Sequence, residues 1–288
     1  MIQDVRLVVA DIDGTLVDDT YHKMMPLTQK AYHILQDHGV YLGIASGRGI
    51  NHQMKERVTD WGFAKPFELL IGLNGGEIYD EIHDSRKEFY KLKREYIKEI
   101  IDLMAPLDLN PFIYRDDVMV ASRMDEQMKA SSERNSQDVH VAKDISELYE
   151  TDISKIMFRM PESTMIEAEK LVANIKNKPY RAFKTQTTML EFMDARINKG
   201  NALAYFCNNN DIPLESVIAF GDMTNDNELL ETAGLGVCLC NGNNETKKIA
   251  NDITEYDNNH DGIGHYLMKH IIEPKGWDKA KVKPCGVL

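Results

Sequence analysis

The chain has 288 residues, enough for one large domain or two of ordinary size. Its 46 acidic and 34 basic residues give a net charge of −12, which argues against non-specific binding to nucleic acid. Apolar residues make up 43% of the chain, yet no apolar run approaches the ~20 residues that a membrane-spanning helix needs. These properties predict a soluble globular protein with neither a nucleic-acid nor a membrane partner.

The two ends of the chain and its cysteines bear on location. The N-terminus passes directly into a strand-like segment and lacks the layout of a signal peptide. The four cysteines have neither metal-site nor disulfide-framework spacing, which predicts reduced thiols and a cytoplasmic location. The final Cys285-Gly286-Val287-Leu288 formally matches a prenylation box, but Gly286 is not aliphatic and we interpret the end as a solvated basic tail.

The first third of the chain alternates strand and helix patterns. Apolar runs predict strands over residues 7–10, 40–45 and 67–71. Amphipathic segments predict a helix from an N-cap at Thr28 to residue 38, with Gly39 as its C′ residue, and a second helix over 51–61. Strand–helix–strand order predicts a parallel sheet with helices on both faces.

The pattern changes near Asp84 and returns near Asn198. Between them we expect helices over 93–104 and 165–177 and short strands over 112–114, 118–121, 156–159 and 190–192. Beyond them we expect helices over 200–208 and 225–233 and strands over 217–220 and 235–239. The sequence therefore predicts a doubly wound α/β core of residues 1–83 and 192–288, interrupted by an α/β cap domain of residues 84–191. A site in such a core belongs at the carboxyl ends of its strands.

Two carboxylates follow the first predicted strand, in Asp11-Ile12-Asp13-Gly14-Thr15. Such close like charges need a cation or a protonation shift to offset their repulsion. Asp11 is a candidate nucleophile, because carboxylates form acyl-phosphate intermediates. Asp13 is placed to protonate the leaving-group oxygen and then to deprotonate the attacking water. By itself the motif is also compatible with a solvated turn or a helix cap.

A third carboxylate, Asp222, follows the predicted strand 217–220. Three converging carboxylates form an oxygen-rich site suited to Mg²⁺, with Asp11, Asp222 and the backbone carbonyl of Asp13 as ligands. Asn225 and Asp226 are expected to hold phosphate or to fix the groups around the metal. An N-cap for the helix at Asn225 is the alternative, and the two roles are compatible.

Three further segments carry candidate phosphate ligands. Ser46-Gly47-Arg48 follows the second strand, where a hydroxyl and backbone N–H groups can hold a phosphoryl oxygen, although an ordinary turn fits equally well. Asn74 follows the third strand and offers an amide. Lys199 opens the helix after the insertion, where a cation would neutralise phosphate and the carboxylates, although a solvated lysine is the alternative.

This set of motifs resembles the haloacid dehalogenase (HAD) superfamily, and within it the Cof-like phosphatases with a subclass IIB α/β cap. Residues 11–15 match its first motif, 46–48 its second, Lys199 its third, and 221–226 its fourth. Asn74-Gly75 and Asp261-Gly262-Ile263 also fit the Cof pattern. Leu229-Leu230 and Asn241-Gly242 depart from it without touching the presumed catalytic groups.

The resemblance implies Mg²⁺-dependent hydrolysis of a small phosphorylated metabolite through an aspartyl-phosphate. The substrate would be a sugar phosphate, a nucleotide or a phosphorylated cofactor, chosen by the cap. The implied catalytic residues are Asp11, Asp13 and Lys199, and the implied metal ligands are Asp11, Asp13 and Asp222. The implied phosphate-binding residues are Ile12, Ser46, Gly47, Asn74, Lys199 and Asn225, with Arg48 and Asp226 holding these groups in place.

Two other functions remain open at this stage. One is phosphoryl transfer within a sugar, as in phosphomutases of the same cap subclass. The other is a non-catalytic binding module on the same scaffold, which would have no need to combine Asp11, Asp13, Lys199 and Asp222. In the cap, Tyr114, Arg115, Lys155 and Arg159 are candidates to meet a polar substrate or, alternatively, to pack on apolar surface. The sequence decides neither the substrate nor the oligomeric state.

Overall fold

The computed structural model describes residues 4–115, 118–135, 137–173, 175 and 177–279. Its chain divides into two compact units. The core unit comprises the residues up to Lys87 and those from Lys199 onward, and the inserted unit is Glu88–Asn198. The segment from Cys285 to the C-terminus, for which the sequence suggested a solvated tail, lies outside the described residues.

The helices and strands follow in chain order. The first part of the core unit contains β1 (Leu7–Asp11), α1 (Pro26–Asp37), β2 (Tyr41–Ala45), α2 (His52–Asp60), β3 (Leu69–Gly72), β4 (Glu77–Asp80) and β5 (Ser85–Glu88). The inserted unit contains α3 (Arg94–Met104), β6 (Asn110–Arg115), β7 (Val118–Ala121), α4 (Glu126–Asn135), β8 (Val139–Val141), β9 (Ile156–Arg159), α5 (Glu162–Val172), β10 (Tyr180–Gln186) and β11 (Met189–Asp194). The core then resumes with α6 (Lys199–Asn209), β12 (Val217–Gly221), α7 (Asn227–Thr232), β13 (Leu235–Cys238), α8 (Asn244–Ile249), β14 (Asp252–Ile253) and α9 (Gly262–Leu267).

The core unit is built on one eight-stranded sheet in the order β14-β13-β12-β1-β2-β3-β4-β5. The strands from β14 to β3 are parallel, whereas β4 returns antiparallel to β3. All five residues of β1 are buried, as expected for a central strand covered on both faces. The chain order reverses at β1, and this switch point is where ligands bind in doubly wound sheets.

Helix α1 shows how a distant residue replaces a predicted local cap. The sequence placed the N-cap at Thr28, but the helix begins at Pro26, which suits the first helical position because proline has no N–H. The N–H and hydroxyl of Thr28 both donate to the Asp261 carboxylate, at 2.8 and 3.1 Å. The prediction of Thr28 as the cap was therefore wrong. Asp261 instead satisfies a free N–H of the first turn from 233 residues away.

The inserted unit has its own six-stranded sheet, in the order β10-β11-β9-β6-β7-β8. Its pairs are antiparallel except β7 with β8. Its largest apolar cluster joins α3 and α5 to one face of this sheet, through side chains such as Ile97, Ile100, Met165, Phe158 and Phe192. This unit therefore has a hydrophobic core of its own, distinct from that of the core unit.

The predicted fold class, an α/β protein with a doubly wound parallel sheet and an inserted α/β module, is confirmed. The sequence missed the antiparallel strands β4 and β5, the short elements α8, β14 and α9, and, in the inserted unit, α4, β8 and β10. Elements of two to six residues give too little periodicity to recognise, and the longer α4 and β10 are rich in polar residues and lack a clear apolar period. No helix among the described residues is long and apolar enough to cross a membrane. Cys207, Cys238 and Cys240 are free thiols.

Candidate active site

The carboxyl ends of the central strands bring the predicted acidic residues together. Strand β1 runs parallel to β12 with Ala10 opposite Phe220, so Asp11 and Asp222 emerge at the same edge of the sheet. One carboxylate oxygen from each of Asp11, Asp222 and Asp226 lies within 4.8 Å of the others. The structure thus gathers residues that are about 210 positions apart in the chain.

Lys199, the first residue of α6, lies at the centre of this acidic cluster. Its side chain is fully buried, and its Nζ donates to Asp11 and, at 2.5 Å, to Asp226 Oδ1. One cation therefore faces three carboxylates. The solvated lysine considered as an alternative does not describe this residue.

Asp226 holds its neighbours through both of its oxygens. While Oδ1 accepts from Lys199, Oδ2 accepts the backbone N–H groups of Asp222 and Met223 at 3.0 and 3.1 Å. A Cβ at Gly221 would lie only 2.5 Å from the Cβ of Asp226, so the close approach requires glycine there. Because both oxygens are engaged, Asp226 is arranged to position Asp222 and Lys199.

Asp222 is fixed from the other side by the first motif. The Thr15 hydroxyl donates to Asp222 Oδ1 at 2.6 Å. Gly14 has φ +80°, and a Cβ there would lie 2.8 Å from Asp222 Oδ2. Glycine is needed at this position both for the left-handed backbone and for the room that it leaves.

The protonation behaviour of the cluster reflects its excess negative charge. Burial, and then the charge of Asp226, raise the pKa of Asp222 to about 7. Burial likewise raises the pKa of Asp11, although Lys199 opposes that shift. Burial alone would lower the pKa of Lys199, but the carboxylates of Asp11 and Asp226 outweigh it and keep the ammonium charged. The cluster therefore favours uptake of a further positive charge.

The donor set fits a hard divalent cation. Asp11 and Asp222 present carboxylate oxygens, the ligand type that Mg²⁺ prefers, and both are largely buried. Burial, and then the charge of Asp226, raise the pKa of Asp222, so its ionised form is disfavoured when no metal is bound. A cation held between Asp11 and Asp222 would favour the ionised form of both carboxylates.

Asp13 lies beside this cluster in a different environment. Its side chain is 46% exposed, and both of its oxygens accept from the Arg48 guanidinium at 2.9 Å. The imidazole Nδ1 of His22 is 3.9 Å from the same carboxylate. Arg48 thus comes from the second motif to orient the acidic side chain of the first.

Four of the predicted phosphate-binding residues lie on the three segments that follow β2, β3 and β12. Ser46 is buried, and its hydroxyl oxygen accepts the N–H of Arg48 at 3.1 Å. Asn74 is buried in the left-handed conformation, with φ 54°, and its Oδ1 accepts from Asn225 Nδ2 at 3.1 Å. A Cβ at Gly47 would lie 3.3 Å from the amide of Asn74. The structure therefore brings Ser46, Gly47, Asn74 and Asn225 to one region.

Ile12 and the candidate substrate-binding residues of the cap make contacts outside the acidic cluster and the phosphate-binding region. The Ile12 side chain is buried in the core and its carbonyl accepts the N–H of Leu16, so any part in phosphate binding falls to its own N–H. The four candidates in the cap belong to the inserted unit, where Lys155 pairs with Glu191, Arg115 with Glu150 and Arg159 with Gln186.

Sequence reasoning missed three residues that support the site. Thr15 lies in the first motif, and its hydroxyl donates to Asp222, a role that the motif alone does not indicate. Asn241 departs from the family pattern with its neighbour Gly242, and its amide donates to the carbonyl of Gly14 at 2.8 Å. Glu77 accepts the backbone N–H of Ile50 from another loop. The sequence showed no sign of this contact, because a strand pattern does not distinguish a buried glutamate from an exposed one.

Comparison with known proteins identifies the family. Residues 8–267 match the family model described as haloacid dehalogenase-like hydrolase. The 5-amino-6-(5-phospho-D-ribitylamino)uracil phosphatase YitU of Bacillus subtilis is 25% identical over 92% of this chain and 97% of its own. The HMP-PP phosphatase of Yersinia enterocolitica is 26% identical over 93% and 96%. The subclass IIB sugar phosphatase BT4131 matches in structure with a TM-score of 0.76 at 17% identity, over 95% of this chain and all of that one.

This chain belongs to the haloacid dehalogenase-like hydrolases. The resemblance drawn from the motifs is confirmed, and so is the prediction that the protein is an enzyme of the phosphatase class.

Proposed function

We propose that this protein is a Mg²⁺-dependent phosphatase that removes phosphate from a small phosphorylated metabolite through an aspartyl-phosphate on Asp11. One observation carries the proposal: three buried carboxylates and one buried lysine meet at the carboxyl ends of the central strands. The names of the relatives support a small phosphorylated substrate, because YitU is named as a phosphatase of 5-amino-6-(5-phospho-D-ribitylamino)uracil and the Yersinia protein as a phosphatase of HMP-PP.

Asp11 and Asp13 divide the chemistry between them. An Asp11 oxygen attacks phosphorus and the bond to the leaving oxygen breaks, while Asp13 gives that oxygen its proton. Water then attacks phosphorus and gives its proton to Asp13, and the bond between phosphorus and Asp11 breaks. Asp11 and Asp13 both return to their starting states, and the products are an alcohol and phosphate.

The surrounding residues stabilise the charge that develops on the phosphoryl group. Lys199 places an ammonium against Asp11, and Ser46, Gly47, Asn74 and Asn225 offer neutral donors from the adjoining loops. A Mg²⁺ ion held by Asp11, Asp222 and the Asp13 carbonyl would supply further charge neutralisation to the phosphoryl oxygens. Arg48 orients Asp13, and Asp226 orients Lys199 and Asp222.

The exposure of Asp13 favours hydrolysis over transfer to a second substrate hydroxyl. Its side chain is 46% exposed, so the acid–base group is in contact with solvent. Phosphoryl transfer within a sugar requires that water be kept away from the intermediate. Water is therefore the acceptor that we propose.

The test is phosphate release from an aryl phosphate, measured with Mg²⁺ and with EDTA. Asp11→Asn should lose on the order of 10⁴-fold in kcat or more, because the nucleophile is gone. Asp13→Asn should lose ~10²–10⁴-fold, the usual contribution of general acid–base catalysis. Asp37→Asn, which changes an exposed aspartate at the end of α1, is the control and should match the wild type. Equal turnover by Asp11→Asn and the wild type would refute the proposed nucleophile.

A further inference from the structure

We propose that Glu77 and Arg86 form a positioning pair that holds the phosphate-binding loop, residues 46–50, in place. The inference rests on the proposed function, because it assigns to Ser46 and Gly47 the binding of the phosphoryl group. Neither Glu77 nor Arg86 belongs to any of the motifs from which the site was predicted.

Glu77 joins two segments of the core unit through one buried carboxylate. Its side chain is 1% exposed at the start of β4. Oε1 accepts the backbone N–H of Ile50 at 2.5 Å, and Oε2 accepts from Arg86 Nε at 3.0 Å and from its terminal nitrogen. The carboxylate therefore bridges the end of the phosphate-binding loop and strand β5.

Gly72 leaves part of the space that this bridge occupies. A Cβ at Gly72 would lie 2.7 Å from Ile50 Cγ1 and 2.8 Å from Glu77 Oε1, contacts that real side chains do not make. A Cβ at Gly49, inside the phosphate-binding loop, would lie 3.4 Å from the same oxygen, an ordinary van der Waals distance. The backbone at the end of β3 has thus approached Glu77 and Ile50 closely, as expected where the carboxylate acts as a fixed anchor.

The other hydrogen bonds that hold the loop are backbone bonds at its N-terminal part. The N–H of Ser46 donates to Ile71 O at 2.8 Å, Ser46 O accepts from Asn74 N at 2.9 Å, and Arg48 O accepts from Leu73 N at 2.8 Å. These bonds tie residues 46 and 48 to the segment after β3. Glu77 supplies the bond at residue 50, so that the loop is fixed at both ends, with Gly47 between them.

Arg86 supplies the charge that Glu77 needs. A carboxylate buried to this degree is costly unless a cation and hydrogen bonds compensate it. The Arg86 side chain is 51% exposed and reaches inward from β5, the strand through which the chain leaves the core unit. The pair therefore links the position of the phosphate-binding loop to that strand.

The experiment compares three loss-of-contact variants and one rescue variant, Arg86→Lys, with the wild type in the holoenzyme with saturating Mg²⁺. Glu77→Ala removes the Ile50 bond and the ion pair, Glu77→Gln can keep the Ile50 bond, and Arg86→Gln removes only the counter-charge. The readouts are KM for an aryl phosphate and the inhibition constant of inorganic phosphate, taken well below each variant's unfolding midpoint. We expect both constants to rise roughly tenfold in Glu77→Ala, as for loss of a charged hydrogen bond, and less in the other two. Arg86→Lys restores the positive charge, so its two constants should lie close to those of the wild type.

A buried carboxylate farther along the same strand provides the matched control. Asp80 is 4% exposed and bonds to His83 and Asn210, which are outside the phosphate-binding loop. Asp80→Asn should lower the unfolding midpoint and leave KM and the phosphate constant unchanged.

The outcomes separate this inference from the proposed function. If the wild type releases phosphate, Asp11→Asn does not, and all Glu77 and Arg86 variants bind phosphate as the wild type does, the pair is merely structural and the inference is wrong. If the wild type itself shows no Mg²⁺-dependent release from any phosphate ester, the proposed function fails instead. If Glu77→Ala does not fold, Glu77→Gln and Arg86→Gln decide the question by the same constants.

Discussion

The two units of this protein bury charge in opposite ways. In the inserted unit, Lys155 and Glu191 are both about 6% exposed and form an ion pair at 2.9 Å. In the described part of the core unit, Lys199 pairs with Asp11 and Asp226, and Asp222 completes the acidic cluster beside them. The first arrangement pairs one ammonium with one carboxylate, whereas the second places one ammonium against three carboxylates, two of which, Asp11 and Asp222, have raised pKa values.

The difference distinguishes a structural pair from a site. A balanced buried pair compensates its own desolvation and needs no ligand. An unbalanced cluster is costly by itself, and its cost is reduced when a cation or a proton enters, as the raised pKa of Asp222 indicates. Such perturbed groups at the carboxyl ends of strands are typical of active sites.

The largest effect is expected from Lys199→Met, which removes the one ammonium that faces this cluster of the core unit. Three carboxylates would then remain buried without their ammonium, so the free energy of unfolding of the metal-free protein should fall by about 3–5 kcal/mol. Phosphatase activity should be lost as well. Chemical denaturation with EDTA present measures the first effect. Lys98→Met, which breaks an exposed pair with Asp102, is the control and should leave the unfolding midpoint nearly unchanged. If both variants lose similarly little stability, the three carboxylates do not depend on Lys199 for compensation of their charge.

For the Lys155–Glu191 pair, we expect that a second substitution restores the stability that the first one removes. Lys155→Met alone removes the ammonium that pairs with the buried Glu191 carboxylate and should cost about 3–5 kcal/mol. Adding Glu191→Leu replaces the pair by apolar groups and should recover most of that loss. Thermal denaturation of the two variants and the wild type checks this. A double variant no more stable than Lys155→Met would indicate that the pair has a role beyond its own neutrality.

The smallest effect concerns pH. The pKa of Asp222 is raised from 3.8 to about 7, so between these values the folded state binds more protons than the unfolded state. Stability of the metal-free protein should therefore fall as pH rises through this window. Because Mg²⁺ must displace the proton, its stabilising effect should be larger at pH 8 than at pH 6, by roughly 1 kcal/mol. Unfolding midpoints with and without Mg²⁺ at both pH values measure this.

The control for this prediction is Asp222→Asn, in which the titrating group is absent. Its response to Mg²⁺ should be weak at both pH values. An equal gain from Mg²⁺ at pH 6 and pH 8 in the wild type would contradict the assignment of the proton to this carboxylate.

Long, strongly patterned elements were predictable from the sequence, and short or context-dependent ones were not. The helix predicted over 93–104 is observed as Arg94–Met104, and the strands predicted over 118–121 and 156–159 have the observed bounds. The helix predicted over 225–233 instead starts with a 3₁₀ turn at Thr224–Asp226, because Asp226 turns back to bind the N–H groups before it. Strand β5 escaped notice because all four of its residues are exposed and polar at the edge of the sheet.

The sequence by itself indicated the residues to which we assign the chemistry, because the residue types needed for phosphoryl transfer follow buried strands in recognisable motifs. It also determined the alternation of elements from which a doubly wound sheet follows. Only the tertiary structure decided that Lys199 is buried among the carboxylates, that Asp261 completes α1, and that Glu77 accepts the N–H of Ile50. The physical reason is that burial and hydrogen bonding between distant segments depend on the packed chain, whereas hydrophobic periodicity and local motifs do not.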